Sequence, residues 1–337
     1  MGGEEEERES ETNGGAVNLK GQGNSPPSRL LLSSVFSLPP CVPPTDPLDT
    51  LKAQLQVSAG ASHSPPSTLA TARAIWATQG PAGFWRGLTA TLVGAAPGSA
   101  FYFTGVEGGR AAASALALPP GPLVDAGVGL VAQLVGGLAF TPADVVRERV
   151  QAGPALAAAR GGSAAAAAAA TATPRVALAA ALASGGVAGL LKGYWATNAV
   201  WLPWGALFFV GYGRLTDAAA AAGRRRGEEV EVEGDASASP SSLPAPTLAA
   251  CAALAAGGAA ALTHPLDVVK TRLQVLSGPG GAAGLSGRAV AADLWVAGGA
   301  RAFAAGGAAR VAQLSLATAL QWVTYEKARA WVERGGL

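Results

Sequence analysis

Charged residues are scarce in this sequence: Asp, Glu, Lys and Arg together make up 14% of its 337 residues, against about a quarter in an ordinary soluble domain. Half of the residues are hydrophobic, and the mean hydropathy is positive. The few charges gather near the N-terminus, around residues 224–235 and beside a few prolines. This distribution favours a membrane protein with several spanning segments over a large Ala-rich soluble protein.

Cysteine and histidine are also rare, with two of each. Cys41, Cys251, His63 and His264 lack the spacing of a structural zinc site, so we predict no metal. The sequence has no Ser/His or Cys/His arrangement, no paired carboxylates outside the repeat described below and no phosphate-binding Gly-rich loop. These absences predict that the protein is not an enzyme and needs no cofactor. The net charge of +2 argues for no particular partner, and we expect no nucleic acid.

The N-terminal segment 1–28 has no apolar run, so no secretory signal peptide is recognisable there. Its acidic block at 4–9 is the reverse of an Arg-rich mitochondrial presequence. We interpret this segment as a disordered acidic tail.

Further along the chain, several apolar stretches approach the roughly 20 residues of helix that cross a bilayer. Much of their apolarity comes from Ala and Gly, which let membrane helices pack closely. The stretches are 88–106, 123–140, 194–212, 247–262 and 311–325.

One motif occurs three times and is the strongest signal in the chain. Each copy has Pro first, Asp two residues later, Lys or Arg five residues later and Gln nine residues later. Matches in every defining position of three copies are very hard to obtain by chance. The copies begin at Pro47, Pro142 and Pro265.

A second, Gly-containing element follows each motif and opens an apolar segment. It lies at 83–87, at 189–193 and, as a worn copy, at 301–306. Each repeat therefore predicts an apolar helix with the proline motif, a loop with a short amphipathic helix, and a second apolar helix. The predicted fold is an all-α membrane protein of six transmembrane helices in three pseudo-threefold-related repeats.

Inserts explain the unequal spacing of the copies, namely an Ala-rich run at 161–173 and a charged, Ser/Pro-rich stretch at 224–242. The predicted organisation is a disordered acidic tail at 1–28, repeat 1 at 29–115, repeat 2 at 116–220, a charged loop at 221–243 and repeat 3 at 244–337.

Ionisable residues inside membrane segments are costly, so they usually face the bundle interior and pair with one another. The acid and the base of each motif lie three residues apart on one helix face and can pair within that helix. In a threefold arrangement they can instead reach the neighbouring helices and close one end of a central cavity. A static ring that only holds the bundle together is the alternative, but three proline kinks favour a ring that opens.

The repeated motifs resemble those of the mitochondrial carrier family, from about Leu30 to the C-terminus. The resemblance implies a matrix-side ion-pair ring made of the pairs Asp49–Arg147, Asp144–Lys270 and Asp267–Lys52. It also implies glutamine braces, which hydrogen-bond across those pairs, at Gln56, Gln151 and Gln274.

The same resemblance implies a bound lipid and a second network. In the family, cardiolipin phosphates bind at the N-termini of even-numbered spans, where helix N–H groups suit an anion; the matching residues are Arg86, Gly87, Lys192 and Gly193. A cytoplasmic network of acids and bases would be formed by Glu107, Arg110, Glu326 and Arg329. The fourth span has Gly213 and Thr216 instead, so we expect a cytoplasmic gate that rests chiefly on the pair Arg110–Glu326 and opens easily.

Substrate contacts in the family lie about two turns into the even-numbered spans. The equivalent residues are Thr91, Gly94, Ala95, Val200, Trp201, Arg310, Gln313 and Leu314. Arg310 is the one charged residue among them, which argues against phosphate and against di- and tricarboxylates. We expect a substrate with one anionic group and a flat or apolar part, such as an amino acid or a nucleotide-like cofactor.

The first span departs from the family pattern. Pro39, Pro40, Pro43 and Pro44 precede its motif, and proline cannot continue an α-helix. Either this half-span is irregular and shielded by its neighbours, or the region before about residue 45 is not the native one. We favour the second explanation because this region shares nothing with the other repeats.

The resulting hypothesis is a solute transporter that works by alternating access through a central cavity gated by salt-bridge networks. The alternative is a non-transporting scaffold or a degenerate member of the same family. The resemblance also implies a monomer in the mitochondrial inner membrane, although relatives occur in plastid and peroxisomal membranes.

Overall fold

A computed structural model of the chain describes residues 42–59, 67–119, 121–159, 173–191, 193–225, 243–276 and 285–333. Within these ranges the chain forms helices and no strand. The acidic tail, nearly all of the Ala-rich insert, most of the charged loop and the prolines Pro39 and Pro40 lie outside the described residues.

The helices follow one order three times: a helix with the proline motif, an intervening helix of 12 to 17 residues, called the short helix, and a long last helix. Repeat 1 contains α1 (Val42–Ser58), α2 (Thr68–Gln79), a 3₁₀ turn (Pro81–Trp85) and α3 (Leu88–Ala115). Repeat 2 contains α4 (Pro122–Ala159), α5 (Pro174–Leu190) and α6 (Tyr194–Arg225). Repeat 3 contains α7 (Ala245–Leu276), α8 (Gly287–Gly298), the one-turn α9 (Ala300–Phe303) and α10 (Gly307–Glu333). This order confirms the predicted all-α fold.

Each short helix has the same start and the same anchor. Its N-cap hydroxyl accepts a hydrogen bond from the backbone N–H three residues on, at Ser67, Thr173 and Ser286. Its buried side chains pack against the motif helix of the same repeat, α2 on α1, α5 on α4 and α8 on α7. The short helices therefore lie beside the ends of the proline motifs.

The first helix begins at Val42, so Pro43 and Pro44 fall in its first turn. Proline is tolerated there because the N–H that it lacks has no partner within the helix. The part of the first span that precedes Val42 lies outside the described residues, and both explanations of its prolines stay predictions.

The long helices place apolar side chains on the outer surface of the bundle. Exposed examples are Val93, Phe209, Val210, Leu254 and Leu262, each at least 65% accessible. By length and apolar composition, the described segments Ala126–Ala157 and Ala245–Leu276 are able to cross a membrane. An apolar outside around buried charges suits a lipid environment rather than water.

The helices are assembled in a cyclic order. The motif helices α1, α4 and α7 contact one another in all three combinations. The last helix of each repeat packs against the motif helix of the next repeat, α3 on α4, α6 on α7 and α10 on α1. This arrangement brings the three proline motifs to one place.

Candidate functional site

The three proline motifs meet where α1, α4 and α7 converge. Their acids and bases form the three interhelical pairs that the family resemblance implied. These are Asp49–Arg147 and Asp267–Lys52, each with an N···O distance of 3.0 Å, and Asp144–Lys270. Most of these side chains are almost inaccessible to solvent, so the ion-pair ring is largely buried between the three motif helices.

Arg147 shows that pairing within a helix and pairing between helices coexist. Its Nη1 lies 3.0 Å from Asp49 Oδ2 on α1, and its Nη2 donates to Asp144 Oδ1 at 2.9 Å on its own helix. The planar guanidinium can hold two carboxylates in this way, whereas an ammonium is a single point charge. Arg147 therefore fastens repeat 1 to repeat 2.

Asp267 is the most heavily used carboxylate of the ring. Its Oδ2 lies 3.0 Å from Lys52 Nζ, accepts a hydrogen bond from Gln56 Nε2 at 2.8 Å, and lies 3.2 Å from Arg310 Nη1. One oxygen atom thus holds groups from α1 and α10 against α7. No other carboxylate of the ring in the described part of the chain has three side-chain partners.

Arg310 does not face a cavity as a free cation in this conformation. It is 2% exposed, and besides Asp267 it donates to the Thr263 hydroxyl at 3.1 Å and to the Thr263 backbone oxygen at 3.4 Å. Its position in the sequence predicted a substrate contact and gave no indication of these partners. The structure places it on the ion-pair ring, at the boundary between the ring and the predicted substrate position.

Glu148 is a ring residue that sequence reasoning missed. It lies six residues after Pro142, is 1% exposed, and accepts a hydrogen bond from Thr271 Oγ1 at 3.3 Å. The equivalent residues of the other copies are Ala53 and Thr271, so the signal was an acid at a position where the repeats differ. Glu148 and Arg310 are one acid and one base that the other repeats do not match.

The three glutamines behave differently from one another. Gln56 donates to Asp267, as a brace should. Gln274 instead donates to Thr197 Oγ1 on α6 at 3.1 Å, and the side-chain amide of Gln151 has no hydrogen-bond partner among the described residues. The brace geometry expected at three places is therefore formed at Gln56 alone within the described part of the chain.

The glutamines share a different contact, with the glycine that precedes each even-numbered long helix. A Cβ added to Gly87 would lie 3.0 Å from Gln151 Cγ, and one added to Gly193 would lie 3.1 Å from Gln274 Cγ. At Gly306 the new atom would lie 3.1 Å from the Lys52 backbone oxygen and 3.5 Å from Gln56 Cγ. Each repeat thus places its glycine on the glutamine of the next repeat, and the third closes on the first.

Replacing Gly193 by Ala is expected to destabilise the protein by at least about 1 to 2 kcal/mol, the usual cost of a side chain in the left-handed region. Its φ is +100°, and the added methyl group also crowds Gln274. Gly213→Ala is the matched control: it is a glycine inside α6 with open space around it, where Ala should stabilise by about 0.5 to 1 kcal/mol. Thermal unfolding in detergent micelles measures both changes. Equal midpoints for the two variants would contradict the interlocking contact.

Two of the predicted substrate positions lie in helix contacts. A Cβ on Gly94 would lie 2.3 Å from the Ala143 Cβ, so Gly94 packs against α4 and presents nothing to a cavity. Val200 is 1% exposed. Trp201 is partly exposed and packs edge-on against Trp204. The remaining uncharged candidates, Thr91, Ala95, Gln313 and Leu314, are partly exposed on α3 and α10.

The N-termini of the even-numbered long helices carry the predicted lipid-binding residues. Gly87 and Gly193 precede α3 and α6 with left-handed backbones. Arg86 is partly buried and donates from Nη1 to Gln79 Oε1 at 3.1 Å. Lys192 lies outside the described residues.

The predicted cytoplasmic network is only partly described. Glu107 and Arg110 pair within α3 at 3.5 Å, with side chains 63% and 53% exposed. The side chains of Glu326 and Arg329 lie outside the described residues, although α10 continues past both. The predicted pair Arg110–Glu326 stays a prediction. Across the described part of the chain, no group of His, Cys, Asp and Glu side chains is arranged to hold a metal ion.

The family to which the chain belongs follows from its similarity to known proteins. The chain matches the family described as "Mitochondrial carrier protein" over residues 42–113, 119–219 and 241–336, which is well over half of its length. Each matched segment holds one proline motif. The chain belongs to the mitochondrial carrier family. Members of this family are transporters rather than enzymes.

Three relatives show the range of carriers to which this one is similar. The mitochondrial S-adenosylmethionine carrier protein of Xenopus tropicalis is 27% identical over 86% of this chain and 90% of its own. The mitochondrial glycine transporter of Aspergillus clavatus is 26% identical over 86% of each chain. The chloroplastic protein MITOFERRINLIKE 1 of Arabidopsis thaliana is 30% identical over 67% of this chain and 47% of its own. This carrier is therefore a membrane protein of solute transport, with relatives in mitochondria and in a plastid.

Proposed function

We propose that this carrier moves a small solute by alternating access and that the ion-pair ring is its matrix-side gate. The observation that carries the proposal is the set of three interhelical pairs, each between residues of different repeats and largely withdrawn from solvent. The attraction within a buried pair is offset by the cost of removing both charges from water. The closed ring therefore holds the three helices together, yet its charges can bind water instead of one another when the helices separate.

Arg310 is the proposed link between the substrate and the gate. It belongs to the helix that carries predicted substrate contacts, and its guanidinium is bound to Asp267. An anionic group of a substrate would compete with Asp267 for Arg310, because both are acceptors for the same N–H donors. Once Arg310 turns to the substrate, Asp267 keeps only its partners on α1, and the ring is weakened on one side.

The proposed substrate has one anionic group and a flat or apolar part, as in an amino acid or a nucleotide-like cofactor. Arg310 is the only charged residue among the predicted substrate positions, all of which the structure describes. Two relatives are named for S-adenosylmethionine and for glycine, and both molecules carry an α-amino acid group. A substrate with several negative charges would find too few cations in this carrier.

The proposal is tested by counter-exchange in proteoliposomes loaded with unlabelled S-adenosylmethionine or glycine, with the labelled compound added outside. Saturable exchange of at least one of them is expected. Arg310→Ala should reduce it by more than about tenfold, the size of a lost charge-assisted hydrogen bond. The exposed Arg301 on α9 is the matched control, and Arg301→Ala should exchange at the unaltered rate.

Two results would count against this function. Exchange that survives Arg310→Ala would remove Arg310 from the substrate path. Absence of exchange of both compounds, by a preparation whose thermal unfolding is cooperative, would favour the non-transporting scaffold instead.

The setting of the carrier is also part of the proposal. We place it in the mitochondrial inner membrane, crossing several times, as a monomer, because its pseudo-threefold interior lies within one chain. Cardiolipin would bind at the helix N-termini behind Gly87 and Gly193, where unpaired N–H groups favour a phosphate. Arg86 and Lys192 would supply the cations. The repeat boundaries 29–115, 116–220 and 244–337 are proposed as the units of the fold.

A further inference from the structure

Glu148 and Arg310 are two charged residues at the ion-pair ring that break the symmetry of the repeats. Neutral residues occupy the equivalent positions, Ala53 and Thr271 for Glu148, and Thr91 and Thr197 for Arg310. Glu148 is 1% exposed and Arg310 is 2% exposed. The charges of the three repeated pairs cancel one another. The protein therefore buries one acid and one base beyond those that the three motifs supply.

Helix α7 brings these two side chains close together. Glu148 accepts a hydrogen bond from Thr271 Oγ1 at 3.3 Å, and Arg310 Nη1 lies 3.2 Å from Asp267 Oδ2. Asp267 and Thr271 are four residues apart, so they lie one turn from each other on the same face of α7. Glu148 and Arg310 are thus bound to neighbouring points of one helix face, and their opposite charges attract each other.

Glu148 differs from the other acids near Arg310 because it has no base of its own. Three acids attract Arg310 electrostatically, and the other two are aspartates that are paired with bases of the ring. Glu148 forms no ion pair with any described residue, and its Oε2 has no hydrogen-bond partner among them. Lys52 and Lys270 also attract Glu148, but each already holds an aspartate. Glu148 is therefore the counter-charge of Arg310.

We propose that Glu148 is a positioning residue that makes the carrier select a zwitterionic α-amino acid group over a plain carboxylate. The inference rests on the proposed function, in which Arg310 receives the anionic group of the substrate. The negative charge of Glu148 repels an anion near Arg310 and attracts a cation there. An ammonium beside the carboxylate of the substrate offsets this repulsion, whereas a plain carboxylate loses through Glu148 part of what it gains through Arg310.

Competition with labelled substrate in the proteoliposome exchange assay measures this selectivity. Glycine and glycolate form one pair of unlabelled competitors, and methionine and its 2-hydroxy analogue form another. Within each pair, a hydroxyl replaces the ammonium. The amino acid should inhibit exchange by the native carrier at the lower concentration. Glu148→Gln should shift the ratio of the two half-inhibition concentrations about tenfold toward the hydroxy acid, the order expected of one unit charge about 10 Å away in a protein interior.

Two variants control for changes unrelated to the charge of Glu148. Glu148→Asp keeps the carboxylate and should keep the native ratio, and Asp217→Asn, which removes an exposed acid of α6, should keep it as well. Should Glu148→Gln fail to fold, Glu148→Thr introduces the side chain that the third repeat has at this position and carries the same prediction. An unchanged ratio without the Glu148 carboxylate would overturn the proposal, and so would an equal shift in Asp217→Asn.

Thermal unfolding in detergent micelles tests the partnership of Glu148 and Arg310 without any substrate. Arg310→Gln leaves Glu148 buried without its counter-charge, so adding Glu148→Gln should raise the unfolding temperature again, by at least about 2 °C. Adding Asp217→Asn instead should leave it unchanged. If Glu148→Gln gives no such rescue, the inference is wrong even where exchange occurs. Rescue without exchange of either labelled compound would reject the proposed function, and the selectivity with it, while confirming the partnership of the two charges.

Discussion

Replacing Asp267 by Asn is expected to destabilise the carrier by about 3 to 5 kcal/mol, the range found when one partner of a buried ion pair is removed. Asn keeps the size of the side chain but not its charge. Lys52 and Arg310 would then remain buried without the carboxylate oxygen that both now share. The midpoint of thermal unfolding in detergent micelles should fall accordingly.

Asp217→Asn is the matched control for this change. Asp217 is exposed on α6 and forms no ion pair with the described residues. Its replacement should change the free energy of unfolding by less than about 0.5 kcal/mol. If Asp267→Asn unfolds at the same temperature as Asp217→Asn, Asp267 is not the point at which three side chains converge.

Arg147→Gln is expected to have the second largest effect, again about 3 to 5 kcal/mol. The substitution leaves Asp49 and Asp144 without the guanidinium that lies between them. Arg147→Lys should lose less, because one carboxylate keeps a cation while the other loses it. The unfolding temperature should be highest for the native protein, lower for Arg147→Lys and lowest for Arg147→Gln.

Arg110→Gln serves as the control for an exposed arginine pair. Arg110 and Glu107 are both more than half exposed, and pairs of that kind contribute about 0 to 1 kcal/mol. A lysine at position 147 that is as stable as the native arginine would show that the contact with both carboxylates is unimportant. If Arg147→Lys lowers the unfolding temperature as much as Arg147→Gln does, the contacts of the guanidinium with both carboxylates are needed together.

The ion-pair ring could be predicted from the sequence because the proline motif occurs three times. An acid and a base three residues apart define one helix face, and three equal copies leave few ways to join those faces. The threefold repeat thus predicted a ring of interhelical pairs, and the resemblance to the mitochondrial carrier family implied which residues pair, such as Asp144 with Lys270. The short helices were predictable for the same reason, since a loop of similar character follows each motif.

Residues that break the symmetry could not be placed in this way. Arg310 occurs in one repeat only, so the repeated pattern gave no indication of its partners. Its place on the ring depends on Asp267 and Thr263 being within reach on α7. Gln274 likewise left the predicted brace because a hydroxyl on α6, that of Thr197, was close enough to accept its hydrogen bond.

The direction in which Gly94 lies could not be predicted for a simpler reason. The position was assigned by counting turns from Gly87, which fixes the height along α3 but not the direction of the residue. In the structure that direction is occupied by Ala143 of α4. Counting residues therefore does not say which of the predicted substrate positions face the interior, and the substrate site stays a prediction.

The glycine–glutamine contacts also determine when the ring of repeats can close. Gly87 contacts a glutamine on the next motif helix along the chain, and Gly193 does the same. Gly306 must return to Gln56 near the beginning of the chain. The first motif helix therefore keeps one flank uncovered until the last repeat is in place, and a chain truncated before Gly306 would hold an open arc of two repeats.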